Sequence, residues 1–259
     1  MADLAADQAQ PREWLRAYED LGPIWASGPG PAYERIAEVV VAVLPRPLRG
    51  AWVLDLGAGT GAASRCIARA GGIPVALDPA LGMLAQARRD HRIIGAPLAS
   101  VGGEAERLPL RDGSLDAVVA CFSLSHVADP VAALREARRV LRPGGHLVAA
   151  SFDLAAAPDP VKNTIDGVAQ RFGLLPPPYY LALKQQEQEV GLAERLAAHA
   201  TAAGLVAVRV DQVQVDSGLR TADDFLRYRL GTPVAAGFVA SLTPARRAEF
   251  YAAAREALG

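Results

Sequence analysis

The sequence predicts an α/β fold: a doubly wound, mostly parallel sheet with helices on both faces, an N-terminal helical cap and an insertion after the fifth strand. Three observations predict it. From residue 51 to 152, short apolar runs alternate with helical stretches. The strongest run, residues 115–122, is apolar on both faces, as a strand covered from both sides must be. The first run ends in a glycine-rich turn, Asp55-Leu56-Gly57-Ala58-Gly59-Thr60-Gly61-Ala62, that opens a helix.

Residues 11–44 read as helix, broken at Gly22-Pro23 and at Gly28-Pro29-Gly30-Pro31 and ended by Pro45 and Pro47. Residues 51–56 are the first strand. Residues 62–70 are a helix stopped by Gly71-Gly72. A second strand covers 74–77. The helix over 81–89 turns Leu81, Leu84 and Ala85 inward. Residues 98–101 form a third strand and 115–122 a fourth. The helix over 130–141 ends at Pro143-Gly144-Gly145, and 146–152 are the fifth strand. Beyond it, helices are expected over 161–172 and 191–203, with an alternating strand over 206–215. Thr221 and Thr243 read as N-caps of closing helices over about 221–230 and 243–258. The chain thus divides into a cap (1–47), a ligand-binding core (48–152), an insertion (153–190) and a C-terminal completion of the α/β core (191–259).

Composition narrows the function classes. The 259 residues are 51% hydrophobic and 21% charged, with a net charge of −1 and both signs interspersed. No basic stripe offers itself to a nucleic-acid backbone. Cys66 and Cys121 lie far apart and make neither a zinc spacing nor a disulfide framework. The start, MADLAADQAQPREW, has no apolar signal region, and the run at 39–44 is too short to span a bilayer. A cytoplasmic protein is expected, with a small molecule as partner and neither nucleic acid nor membrane. Nothing in the composition sets an oligomeric state.

The glycine turn admits two ligands. Gly57, Gly59 and Ala62 satisfy the dinucleotide fingerprint. Asp55, two residues before Gly57, decides against it, because a carboxylate there repels a pyrophosphate. S-adenosylmethionine carries an ammonium and a sulfonium and no phosphate, so the carboxylate suits it. A plain turn with Asp55 as a local cap is the simpler alternative. Asp78, 17 residues after Gly61, can accept from ribose hydroxyls or cap the next helix. Met83 packs on an adenine or belongs to the core.

With these residues in view, the segment from about 51 to 152 resembles the class I S-adenosylmethionine-dependent methyltransferases, whose fold is Rossmann-like. It is most similar to the group that includes the ubiquinone/menaquinone-biosynthesis methyltransferases and many bacterial small-molecule methyltransferases. VLDLGAGTG (53–61), Asp78, GEAERLPLRDGSLDAVVACFSLSHV (103–127) and RRVLRPGGHL (138–147) carry the resemblance in order. It implies that Gly57, Ala58, Gly59 and Gly61 lie along the cofactor and that Asp78 and Pro79 meet its ribose. Glu104 stands where the family usually has an Asp for the adenine amino group, and Ala105 would offer its N–H to the ring. Cys121 and Phe122 would flank the methionine part, and Tyr33 of the cap would reach its carboxylate.

The sequence also departs from the family. No clear strand follows Val215, so the family's antiparallel seventh strand is missing, displaced or supplied by 206–215. Cys121-Phe122-Ser123-Leu124 replaces the Asn-Pro-Pro-Tyr type motif of nucleic-acid and protein methylating relatives.

Methyl transfer from a sulfonium needs alignment and exclusion of water more than chemistry from the protein. A base helps where the acceptor must lose a proton, and His126, just after the fourth strand, is the candidate; a structural histidine is the alternative. Tyr179 and Tyr180 line the acceptor pocket or stiffen a loop. The expected function is methylation of a small molecule, with secondary-metabolite tailoring suggested by the Ala-, Arg- and Pro-rich composition. The alternatives are a protein of this fold that binds S-adenosylmethionine without methyl transfer, as a cyclase or scaffold, and an NAD-dependent oxidoreductase. Asp55 and the absence of a catalytic Tyr/Lys or Cys/His set weigh against the last.

Overall fold

The computed structural model describes residues 11–45, 47–96 and 98–259. Three cap helices come first, α1 (Pro11–Glu19), α2 (Gly22–Ser27) and α3 (Gly30–Ala42), separated at the predicted Gly-Pro breaks. The alternating core follows: β1 (Trp52–Leu56), α4 (Ala62–Arg69), β2 (Ile73–Asp78), α5 (Leu81–Ile93), β3 (Ala99–Gly102), β4 (Leu115–Cys121), α6 (Pro130–Val140) and β5 (Leu141–Ala150). Six helices complete the described chain: α7 (Pro160–Arg171), α8 (Pro178–Val190), α9 (Ala193–Ala202), α10 (Ala222–Leu230), α11 (Pro233–Ser241) and α12 (Pro244–Leu258), with a 3-10 turn at Leu124–His126 preceding α6.

The five strands are all parallel, in the order β3-β2-β1-β4-β5. Asp55 is level with Ala76 of β2 and Val119 of β4, so the carboxyl ends of the central strands finish along one edge. From β1 the chain winds outward to β3 and then returns to the other side of β1 as β4. This reversal makes the end of β1 the sheet's switch point, and ligands of open α/β sheets bind beside it at the carboxyl ends of the strands.

Alternation along the strands assigns the two faces. Val53, Ala117 and Val119 pack against Ala37, Val40 and Val41 of α3 and Ala63, Cys66 and Ile67 of α4. Leu54, Leu56, Val118 and Ala120 pack on the other side against Ala133, Leu134, Ala137 and Val140 of α6. Both faces are covered, which is why the strands read as continuous apolar runs. A separate helical core, with Ile165 and Val168 of α7 meeting Leu226 of α10 and Phe250 of α12, lies beyond the sheet.

The strand expected over 206–215 does not form. Ala207 takes a left-handed backbone (φ 53), which interrupts an extended run, and Val206 is 89% exposed. Among the described residues the sheet therefore ends at β5. That strand starts five residues earlier than expected, because Pro143-Gly144-Gly145 bulges out of the ladder: Leu115 pairs with Leu141 but Ala117 with His146. It also ends at Ala150, leaving Phe152 outside. Helix α8 was not foreseen; its run Pro176-Pro177-Pro178 reads as a loop, yet a proline in the first helical turn costs nothing.

Candidate active site

The glycine turn after β1 is built on three left-handed residues, Gly57 (φ 70), Gly59 (φ 53) and Gly61 (φ 79). The N–H groups of Gly57 and Ala58 both donate to Leu77 O of β2, at 2.8 and 2.9 Å. Gly61 is the N-cap of α4 and has no side chain to cap with. Asp55 supplies the missing acceptor from the strand: its Oδ2 accepts from the Ser64 N–H at 2.8 Å and the Ser64 hydroxyl at 2.7 Å. Asp78 clips the turn from the other side. Its Oδ2 accepts from the Gly59 N–H and its Oδ1 from the Ala80 N–H, each at 2.8 Å.

Asp55 is 1% exposed and Asp78 half-buried. Burial, the largest cause in each case, pushes both carboxyls up to about 6 against these hydrogen bonds. The neighbouring cation, Arg65, is already engaged by Glu34 at 2.7 and 2.9 Å and by Thr60 O at 2.7 Å. The carboxyl edge thus presents poorly solvated negative charge, which a cationic ligand relieves.

The loop after β4 forms the facing wall. Phe122 holds a left-handed backbone (φ 60), unusual for an aromatic residue, and its N–H donates to Ala150 O at 2.9 Å. Ser123 Oγ is buried without a hydrogen-bond partner. Above them lies an aromatic belt. The Phe122 ring is 4.4 Å from Phe152 and 5.3 Å from Tyr33, and Tyr33 lies 5.0 Å from Trp25 and 6.2 Å from Tyr228. Cys121, just below, is no thiolate, since burial drives its thiol far up.

The remaining sequence candidates lie around this crevice. Met83 is buried on α5 with its Cε 3.5 Å from where a Cβ on Gly59 would sit. Pro79 is half-buried beside Asp78. Glu104 and Ala105 follow β3, Glu104 exposed and Ala105 buried, and a backbone bridge to Arg107 holds the turn.

His126 closes the end of the 3-10 turn. Its Nε2 is 3.0 Å from the Tyr18 hydroxyl and its Nδ1 3.1 Å from Ser125 Oγ, while the Ser125 hydroxyl donates to Phe122 O at 3.1 Å. The Trp14 ring lies 5.6 Å away. Helix α8 covers the turn, with Gln186 Nε2 donating to Val127 O and Ala128 O at 2.9 and 3.0 Å. Tyr179 on α8 is half-buried, whereas Tyr180 pairs with the Lys184 ammonium 5.3 Å from its ring centroid. Tyr18 was legible in the sequence only as part of a helix. No spacing rule links it to a histidine 108 residues later.

Helix α1 is fixed over the site by its last residue. Glu19 Oε1 accepts from the Gly82 N–H at 3.0 Å, capping α5, whose own N-cap Ala80 has no acceptor. Among the described residues no cluster of His, Cys, Asp or Glu is arranged to hold a metal, and no helix is long and apolar enough to cross a membrane.

Residues 54–149 match the methyltransferase domain family. Over 103 residues the chain is 48% identical to the demethylmenaquinone methyltransferase of Beutenbergia cavernae, covering 40% of this chain and 41% of that protein. The chain spans about two-fifths to three-fifths of the length of the curated relatives it matches. A S-adenosylmethionine-dependent methyltransferase from Aquifex aeolicus shares the fold, with a TM-score of 0.57 and 21% identity over 75% of this chain and 93% of that one. The [4+2]-cyclase SpnF aligns with a TM-score of 0.54 and 26% identity over 86% of this chain and 74% of that one. Residues 54–149 therefore match a methyltransferase domain family, and the fold is Rossmann-like.

Proposed function

We propose that this protein transfers a methyl group from S-adenosylmethionine to a small aromatic acceptor bearing a hydroxyl. One observation carries the reading: at the sheet's point of reversal, Asp55 and Asp78 hold desolvated carboxyl groups against a bare glycine turn, and among the described residues no free cation neutralises them. When bound, the cofactor supplies an electrophilic methyl on a sulfonium.

The chain's own residues do the rest. In this reading Asp78, with Pro79, accepts from ribose hydroxyls. Met83, Ala105 and Glu104 border the adenine position. The backbone of Gly57, Ala58, Gly59 and Gly61 permits close approach. Asp55 contributes negative charge towards the ammonium, and Cys121, Phe122 and Tyr33 bound the methionine end. The belt of Tyr33, Phe122, Phe152 and Trp25 excludes water and offers ring faces to a planar acceptor. The name of the Beutenbergia relative supports a quinol as that acceptor.

Calorimetry against S-adenosylmethionine and NADH, followed by transfer of labelled methyl to reduced quinones and simple phenols, tests this. Binding of the first ligand alone, with label appearing on a ring-bearing product, is expected. Binding of NADH would overturn the reading. Cofactor binding without label on any acceptor would favour a non-transferring role such as that of the cyclase.

A further inference from the structure

We propose that Tyr18 and His126 act as a relay pair, in which Tyr18 takes the acceptor's proton and passes its own to His126. This deepens the function proposed above and rests on it.

The hydrogen bonds set the direction. The Ser125 hydroxyl donates to Phe122 O, so Ser125 Oγ accepts from His126 Nδ1–H. That tautomer leaves His126 Nε2 as the acceptor, and the Tyr18 hydroxyl donates to it at 3.0 Å. Nε2 is thereby taken. A proton leaving the acceptor reaches it only through the phenol, whose remaining lone pair accepts from no other described residue. In the step, the acceptor O–H bond breaks as a new O–H bond forms on Tyr18. The original Tyr18 O–H bond breaks as Nε2–H forms. The acceptor is left as an anion, the imidazole as a cation and Tyr18 unchanged.

The surroundings suit both ends. Burial holds the imidazole below its ordinary range, so it is neutral and ready at pH 7. Burial pushes the phenol far up, so Tyr18 carries no standing charge. Asp78 at the end of β2, Tyr179 and Glu187 on α8 and Lys184, paired with Glu187, are the other titratable groups around the pair. Glu187 favours the imidazolium that the relay creates. Because Tyr18 sits on α1 and His126 after β4, the pair depends on the docking of α1.

Two readings on Tyr18→Phe and His126→Gln test the proposal. By NMR, the His126 imidazole titration should be displaced in Y18F relative to the wild type, since the partner of Nε2 is gone. In turnover, each variant should lose about 100-fold in kcat near pH 7 with cofactor Kd unchanged, and the deficit should shrink as pH rises enough to ionise the acceptor unaided. An unchanged titration, or a deficit constant with pH, would overturn the relay. If the wild type binds cofactor but methylates nothing, the functional reading fails, while the titration still decides whether the pair exists.

Discussion

Gly57 and Ser123 meet across the sheet's point of reversal: a Cβ on Gly57 would lie 2.3 Å from the Ser123 Cβ. The loops after β1 and β4 are therefore packed on each other, and the turn's first glycine is structural before it is functional. Gly59 differs. A Cβ there meets only Met83 Cε at 3.5 Å, an ordinary contact, so the left-handed backbone, at φ 53, is the constraint.

The two glycines should separate in experiment. Gly57→Ala should lower stability by about 2–4 kcal/mol, combining left-handed strain with overpacking. Urea unfolding reads this. Gly59→Val carries left-handed strain without the clash with Ser123, and should lose cofactor binding by calorimetry. Equal stability losses with normal binding in both would refute the distinction.

Cofactor affinity should depend on pH through Asp55 and Asp78. Folding raises both carboxyls from 3.8 to about 6. Each therefore favours the folded state below about pH 4, and that contribution is lost as pH rises through 6. A cation prefers the ionised carboxylates. Affinity should fall by up to about tenfold per pH unit and per coupled carboxyl below pH 6. Calorimetry from pH 5 to 8 measures the slope, and Asp55→Asn should flatten it. A pH-independent Kd would count against these groups as the charge partners.

His91, on α5, is buried with both ring nitrogens unpartnered, and burial lowers its pKa from 6.5. The unfolded chain takes up this proton more readily, so stability should drop as pH falls below about 6.5. His91→Leu removes both unpaired nitrogens, worth about 1–3 kcal/mol. Its Tm should exceed that of the wild type, more so at pH 5.5 than at pH 8. A Tm difference that does not grow at low pH would contradict this.

The docking of α1 should be separable from cofactor binding. A Cβ on Gly82 would fall 1.7 Å from Glu19 O, so Gly82→Ala must displace the end of α1. Tyr18, one residue earlier, moves with it. Faster proteolysis before residue 20 and a drop in kcat are expected, with cofactor Kd within a fewfold of the wild type. Unaltered proteolysis and turnover would show that the cap tolerates the shift.

The parts legible in the sequence were those with local causes. Val53, Leu54 and Leu56 declare a doubly covered strand by composition, and Gly57, Gly59 and Gly61 declare the turn by the backbone they require. The Gly-Pro pairs at 22–23 and 28–31 placed the cap's breaks. What failed depended on partners elsewhere. The valines at 206, 208 and 210 alternate as a strand does, but no ladder receives them and Ala207 breaks the run. In the site, Asp55 and Asp78 were legible because both sit next to the glycine turn in the chain or at a family spacing. Their shared task of holding that turn, through Ser64 and Gly59, was not. Tyr18, Ser125 and Glu19 gain their roles only from contacts made after the cap folds back.

The central claim is that the edge formed by Asp55, Asp78 and the glycine turn holds a cationic nucleoside. The most direct measurement is calorimetric titration of S-adenosylmethionine into the wild type and Asp78→Asn at pH 7.5. Asn keeps a carbonyl acceptor for Gly59 or Ala80 but removes the charge and one acceptor. The account predicts saturable binding to the wild type and at least about tenfold weaker binding to the variant, with Tm little changed. Equal affinities, or no binding to the folded wild type, would contradict it.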